Sequence, residues 1–146
     1  MGVKTMSWLG KRVTYSSLGS KEQESYNTSK LISAMAEYGY LECMKINGDK
    51  WGADLLFYRS SDSDVKKVQL KGRATFSKHY MGKDLYVAFP GAFSGEWYLY
   101  NHDELVQQCI FKSTWTQSSS WCKSGGYSWN EPPKWLKAEL QRWKIS

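Results

Sequence analysis

The chain has 146 residues, 41% hydrophobic and 23% charged, which suits one domain with a real core and excludes a low-complexity or disordered polymer. No apolar run approaches the roughly 18 residues of a membrane span, and the first dozen residues hold no apolar segment of signal-peptide length, so the expectation is a cytoplasmic protein without a membrane partner. Lys and Arg number 20 against 14 Asp and Glu, a net charge of +6, which suits polyanionic partners such as nucleic acid or is simply a solvated, slightly basic surface.

Residues 1–19 scatter Trp8, Val13, Tyr15 and Leu18 among Gly and Ser without a clean period, and read as an irregular arm or a first strand. Ser20 with Gln23 three residues on has capping-box spacing, which predicts a helix from Lys21 to Glu37, stopped by Gly39. Leu31, Met35 and Tyr38 form its apolar stripe, widened by Ile32 and Ala36. Stepping back along that stripe through residues 31 and 28 brings Glu24 onto the core-facing side at the N-terminal end, while Glu22 points elsewhere.

Tyr40 to Ile46 is the next strand, and Asn47-Gly48-Asp49 is a turn signal. Two apolar-rich runs, Asp54 to Arg59 and Val65 to Lys71, flank the turn formers of residues 60–64 and predict a β-hairpin. With the loop centred between Asp62 and Ser63, Asp54 stands opposite Lys71. Alternation then puts Gln69 and Lys71 on the face that holds Asp54, with Val68 and Leu70 on the other. A carboxylate, an amide and an ammonium thus converge at one end of the hairpin.

Arg73, Lys78, His79 and Lys83 follow among glycines, as a basic loop suited to a phosphate backbone or simply a solvated connection. Asp84 to Phe89 and Trp97 to Tyr100 are strands, and Asn101 or Asp103 caps a helix from Glu104 to Cys109. The last third holds Trp115, Trp121, Trp129, Trp135 and Trp143, and Pro132-Pro133 opens a helix from Lys134 to Trp143. These aromatics among basic residues stack bases, close a core or form an oligomer interface. Cys43, Cys109 and Cys122 lack CxxC spacing and indicate neither a disulfide framework nor a zinc site.

The order helix, strand, turn, Asp-bearing strand and QxK strand over residues 20–71, with Asp54 followed by Gln69-Leu70-Lys71, resembles the PD-(D/E)XK nuclease superfamily. In that family an acidic residue opens the second strand, and an acidic residue or Gln stands two before a Lys on the third. Ala53 replaces the usual Pro here, and Gln69 is the less common variant. The resemblance implies an α/β (α+β) class with a restriction-endonuclease-like core, a central mixed β-sheet flanked by helices in α-β-β-β-α-β order. It makes residues 1–146 one domain, with 112–146 as a Trp-rich C-terminal extension.

The activity it implies is a metal-dependent DNA endonuclease, similar to small homing endonucleases, restriction enzymes and Holliday-junction resolvases, in a bacterial, phage or mobile-element setting. Asp54, Gln69, Lys71 and Glu24 would be catalytic, with Asp54, Glu24, Gln69 and the Leu70 backbone carbonyl around Mg²⁺, for which Mn²⁺ substitutes. The alternative for Glu24 is a first-turn carboxylate stabilised by the helix dipole. Gln in place of a carboxylate removes one negative charge, which weakens metal affinity and favours one metal over two. The implied partner is double-stranded or branched DNA, and cutting both strands symmetrically calls for a homodimer or homotetramer, for which the tryptophan-rich stretch offers an interface. Two other readings are a catalytically inert nucleic-acid-binding module on the same fold and a structural or interaction protein. No GxGxxG, GxxxxGK[ST], HExxH or GxSxG motif supports another chemistry.

Overall fold

A computed structural model describes residues 7–46 and 52–146; the predicted turn at Asn47-Gly48-Asp49, and Trp51, lie outside the described residues. The arm forms a single short 3₁₀ turn, Tyr15–Ser17, and no strand among its described residues. Helix α1 spans Ser20–Ala36, and its N-cap is Gly19, one residue before the predicted Ser20. The cause is Glu22, whose carboxylate reaches back to accept the Gly19 N–H at 3.0 Å, taking the role expected of Gln23. The helix buries Asn27, Thr28, Leu31, Ala34 and Met35. Tyr38 and Ile32 do not join that face: the helix ends at Ala36, Gly39 turns the chain with φ +86°, and Tyr40 takes the core position. Tyr38 instead donates its hydroxyl to the Ile145 carbonyl at 2.7 Å.

Strands β1 (Glu42–Lys45), β2 (Leu55–Arg59), β3 (Asp64–Leu70), β5 (Leu85–Pro90) and β6 (Trp97–Asn101) form one sheet in the order β1-β2-β3-β5-β6. All neighbours are antiparallel except β3 and β5, so the sheet is mixed. Strand β4 (Thr75–Ser77) pairs instead with β7 (Gly126–Ser128) in a separate two-stranded sheet. Helix α2 (His102–Cys109) follows β6 directly, capped by Asn101, whose side chain accepts the Glu104 N–H at 3.1 Å. Helix α3 is Lys134–Leu140, and a 3₁₀ turn carries the predicted helical path on to Trp143.

The class is the expected mixed α+β arrangement, a five-stranded central sheet flanked by helices. The element order differs in one place. Where the resemblance has a helix after the third strand, the chain has β4 and a 3₁₀ turn, Lys78–Tyr80, and the next α-helix comes only after β6. Thr75-Phe76-Ser77 alternates polar and apolar between Gly72 and Gly82, a pattern with strand period and no helical stripe.

Alternation along the strands divides the core. Leu55, Phe57, Val68, Ala88, Trp97 and Leu99 pack with Leu31 and Met35 of α1 on one face. Val87, Phe89 and Tyr100 pack on the other with Phe76, Leu105, Val106, Leu136 and Leu140. The tryptophans complete this second core. Trp115 is buried with its indole N–H on the Cys109 carbonyl at 2.9 Å, while Trp121, Trp129, Trp135 and Trp143 pack half-buried around it. Closing a core is thus one of the roles expected of this stretch. The β4–β7 sheet and α3 leave a wide gap over the main sheet, and aromatic side chains are what fills it.

Two side chains hold the outer edge of β4 where a further strand would lie. The buried Tyr100 hydroxyl accepts the Thr75 N–H at 3.1 Å and donates to the Thr75 carbonyl at 2.5 Å. Two residues along both segments, His102 Nε2 accepts the Ser77 N–H at 3.0 Å.

Candidate active site

The hairpin that carries Asp54 closes earlier than predicted. Arg59 pairs with Asp64 across a loop of residues 60–63, in which Ser63 takes a left-handed φ of 59°. Asp62 fixes that loop by accepting Arg59 Nε and Nη2 at 3.0 and 2.9 Å and the Asp64 N–H at 3.2 Å. Leu55 therefore pairs with Val68, and the Asp54 N–H donates to the Val68 carbonyl at 2.9 Å, which sets Asp54 opposite Gln69, not Lys71. A shift of two residues preserves side-chain parity, so Asp54, Gln69 and Lys71 still share a face.

The contacts are direct. Asp54 Oδ2 accepts Gln69 Nε2 at 2.8 Å and the Leu70 N–H at 3.0 Å. Both bonds fall on one oxygen, and among the described residues no donor reaches Oδ1. Burial pushes the Asp54 carboxyl above its ordinary range. The Leu70 N–H opposes that rise, the negative charge of Glu24 adds to it, and the Lys71 ammonium and Gln69 amide oppose it further. Asp54 is thus a half-buried carboxylate, oriented by two donors on one of its oxygens.

Glu24 sits exposed on the second turn of α1, one turn before the buried Thr28, and is near enough for its charge to act on Asp54. It does not face the core, as the stripe argument expected, because the first turns of α1 extend past the packed part of the helix. Glu22 is occupied by the cap at Gly19, whereas among the described residues nothing hydrogen-bonds the Glu24 carboxylate. Lys71 is tied to β5 by its own N–H on the Ala88 carbonyl at 2.8 Å, and its ammonium stands 5.8 Å from the Tyr80 ring centroid. No group of three or more His, Cys, Asp or Glu is placed to hold a metal among the described residues. The donor set is two carboxylates, an amide and the Leu70 carbonyl, all oxygen donors of the kind a hard divalent cation takes.

Arg73, Lys78, His79 and Lys83 all lie exposed on the crossover from β3 to β5, which leaves the site at Lys71. Arg73 donates to the Asn130 side chain, and Lys78 sets its ammonium 5.2 Å from the Trp121 ring while its N–H bonds the Gly125 carbonyl at 2.7 Å. His79 forms part of the 3₁₀ turn, and its N–H donates to the Ser77 hydroxyl at 3.2 Å. The Lys83 carbonyl accepts the Lys67 ammonium. Asp84 is exposed with φ 51° and takes no part in the site. The sequence reading missed two supports of the site, the Leu70 N–H and Tyr80. A backbone donor leaves no trace in residue type, and Tyr80 is set beside Lys71 only by the pairing of β4 with a distant strand.

Comparison with solved structures finds a distant similarity. It is to the structure of a bacterial homing endonuclease, I-Ssp6803I, with a TM-score of 0.44, 17% sequence identity and 80% of each chain covered. No family model and no curated protein matches the chain.

Proposed function

We propose that the chain is a metal-dependent DNA endonuclease of the PD-(D/E)XK kind in its D…QxK form, hydrolysing phosphodiester bonds at the Asp54 end of the hairpin. The observation that carries the reading is the fixed Asp54 carboxylate, oriented by Gln69 and the Leu70 N–H with Lys71 on the same face. Such an arrangement has little purpose in a solvated hairpin, because burial there works against the charge it orients.

Asp54 Oδ1, Glu24 and the Leu70 carbonyl would hold Mg²⁺, or Mn²⁺ in its place. When bound, the ion supplies charge neutralisation and an acidified water. Gln69 holds Asp54 in place through its amide N–H₂, a positioning role in this state, with its amide oxygen as a further donor. Lys71 places a cation beside the attacked phosphate, where it holds the attacking water by donating to it and counters the charge that builds in the transition state. Arg73, Lys78, His79 and Lys83 lie where the backbone beyond the scissile phosphate would run. One cluster cuts one strand, so symmetric double-strand cleavage goes with a homodimer or homotetramer, to be checked by light scattering coupled to size exclusion.

Gln69, an amide where the family pattern more often has a carboxylate, supports a second reading, an inert nucleic-acid-binding module on the same fold. One experiment separates the two. Supercoiled plasmid and a four-way junction are incubated with the protein in Mg²⁺, Mn²⁺ or EDTA, alongside Asp54→Asn and Lys71→Ala. Nicking that needs the metal and both side chains supports the nuclease. Salt-sensitive DNA binding without nicking supports the module.

A further inference from the structure

A groove of about 790 Å³ opens beside the candidate site, and Gly72 and Arg73, the residues directly after Lys71, line it. Tyr26 and Lys30 of α1 form part of one wall, Trp129 and α3 another, and the β5–β6 turn closes one side. Four cations face it, Lys30, Arg73, Lys137 and Lys144, against the carboxylates of Glu96 and Glu131. Both carboxylates are neutralised, Glu131 by Lys137 at 2.6 Å and Glu96 by Lys144 at 2.9 Å. Lys30 lies 5.3 Å from the Tyr26 ring and Arg73 donates to a neutral amide, so these two cations have no carboxylate partner among the described residues. The groove is aromatic and net positive.

Its most exposed aromatic is held at the tip of a fixed turn. Gly91 donates to the Glu96 carbonyl at 2.9 Å, Glu96 to the Phe93 carbonyl at 3.1 Å, and the Phe93 N–H to Glu96 Oε1 at 3.0 Å. A Cβ on Gly91 would stand 2.6 Å from that of Glu96, so the turn closes this tightly only with glycine. Phe93 is 75% exposed on this hydrogen-bonded turn. A solvent-facing phenyl ring, carried on a hydrogen-bonded turn at the rim of a cationic aromatic groove, is a face on which an unpaired base stacks.

We propose that this groove binds an unpaired stretch of a DNA strand, its bases stacking against Phe93 and the aromatic wall and its phosphates meeting Lys30 and Arg73. A groove of this volume accepts a nucleotide or two at a time, as small-ligand clefts do, and not a stacked duplex. The proposal rests on the nuclease reading for its biological meaning. It makes the substrate DNA with a locally unpaired segment, delivered to Asp54 past Gly72 and Arg73.

The test is fluorescence anisotropy in EDTA with the full chain, using a labelled oligothymidine and a blunt duplex of equal length. The expected result is tighter binding of the single strand, weakened on the order of tenfold by Phe93→Ala. Lys30→Ala should also weaken it and flatten its salt dependence. Equal or tighter binding of the duplex, or single-strand affinity unchanged in both variants, overturns the proposal. Plasmid nicking that depends on Asp54, with binding indifferent to Phe93 and Lys30, removes the groove and leaves the nuclease. Binding that needs Phe93 and Lys30 in a protein that never nicks removes the nuclease and leaves the groove.

Discussion

Gln69→Glu is the substitution that most directly tests the site. In the wild type an amide N–H₂ lies 2.8 Å from Asp54 Oδ2, and the substitution replaces this donor with a second carboxylate. Even if the two groups relax to about 4 Å, repulsion between unit charges at an effective dielectric near 20 is about 4 kcal/mol. The alternative is to take up a proton at pH 7 on a group of ordinary pKa about 4.3, which costs a similar amount, about 3.7 kcal/mol. Solvent reaches the half-exposed pair and screens it, so about 2–4 kcal/mol of stability should be lost in EDTA, a fall in melting temperature of roughly 4–16 °C. Because the shared proton lifts the folded-state pKa of the pair, this penalty is largest at neutral pH and shrinks to about 1 kcal/mol as pH falls to about 5. Mg²⁺ should restore much of the loss, since a cation satisfies two carboxylates better than a carboxylate and an amide, and some cleavage should survive with an altered metal preference. Thermal shift in EDTA and in Mg²⁺, at the two pH values, reads all of this. A variant that melts with the wild type in EDTA at pH 7 would mean that Gln69 does not hold Asp54, and the argument for the site would fail.

Three further outcomes are expected. Glu24→Ala should slow cleavage about 10- to 100-fold with stability intact, whereas Glu22→Ala should cost about 0.5–1 kcal/mol through the lost cap and leave cleavage intact; equal effects on cleavage would remove Glu24 from the site. Tyr100→Phe strands the N–H and carbonyl of Thr75 and should cost about 1–3 kcal/mol in urea denaturation, and a loss below about 0.5 would show that water satisfies both groups. Burial lowers the pKa of His102, with Asp103 opposing, so the fold binds its proton less readily than the unfolded chain. The stability this contributes is present above about pH 6.5 and drains away as pH falls; a His102→Gln variant should lose that slope, and an unchanged slope would refute the assignment.

The sequence carried the site further than it carried the fold around it. Asp54, Gln69 and Lys71 lie on one hairpin, where parity is set by strand period alone, so an error of two residues in register left their common face intact. That error came from the loop, in which Ser63 adopts a left-handed backbone that a run of Ser and Asp does not announce. The pairing of residues 75–77 with 126–128 was hidden because each strand has only three residues and its partner lies some fifty positions away. The packing of the tryptophans followed from that pairing: once β4 and β7 stand over the main sheet, Trp115 and Trp129 have an interior to fill. The cap at Gly19 escaped because glycine has no side chain to signal it, though Glu22 at the third helical position did.

The parallel pairing of β3 with β5 bears on the order in which the molecule assembles. The β2–β3 hairpin needs only a four-residue loop, so the Asp54–Gln69–Leu70 contacts cost little chain entropy and are available early. Lys67 meets Leu85, and Leu70 meets Ala88, only after a crossover has closed, and β4 must then wait for β7 from much later in the chain. We therefore expect the carboxylate end of the site to form by local folding and the basic crossover to be laid over it afterwards. Refolding kinetics should show the division: Asp62→Ala, in the hairpin loop, chiefly slows folding, while Phe76→Leu, under the β4–β7 sheet, chiefly speeds unfolding.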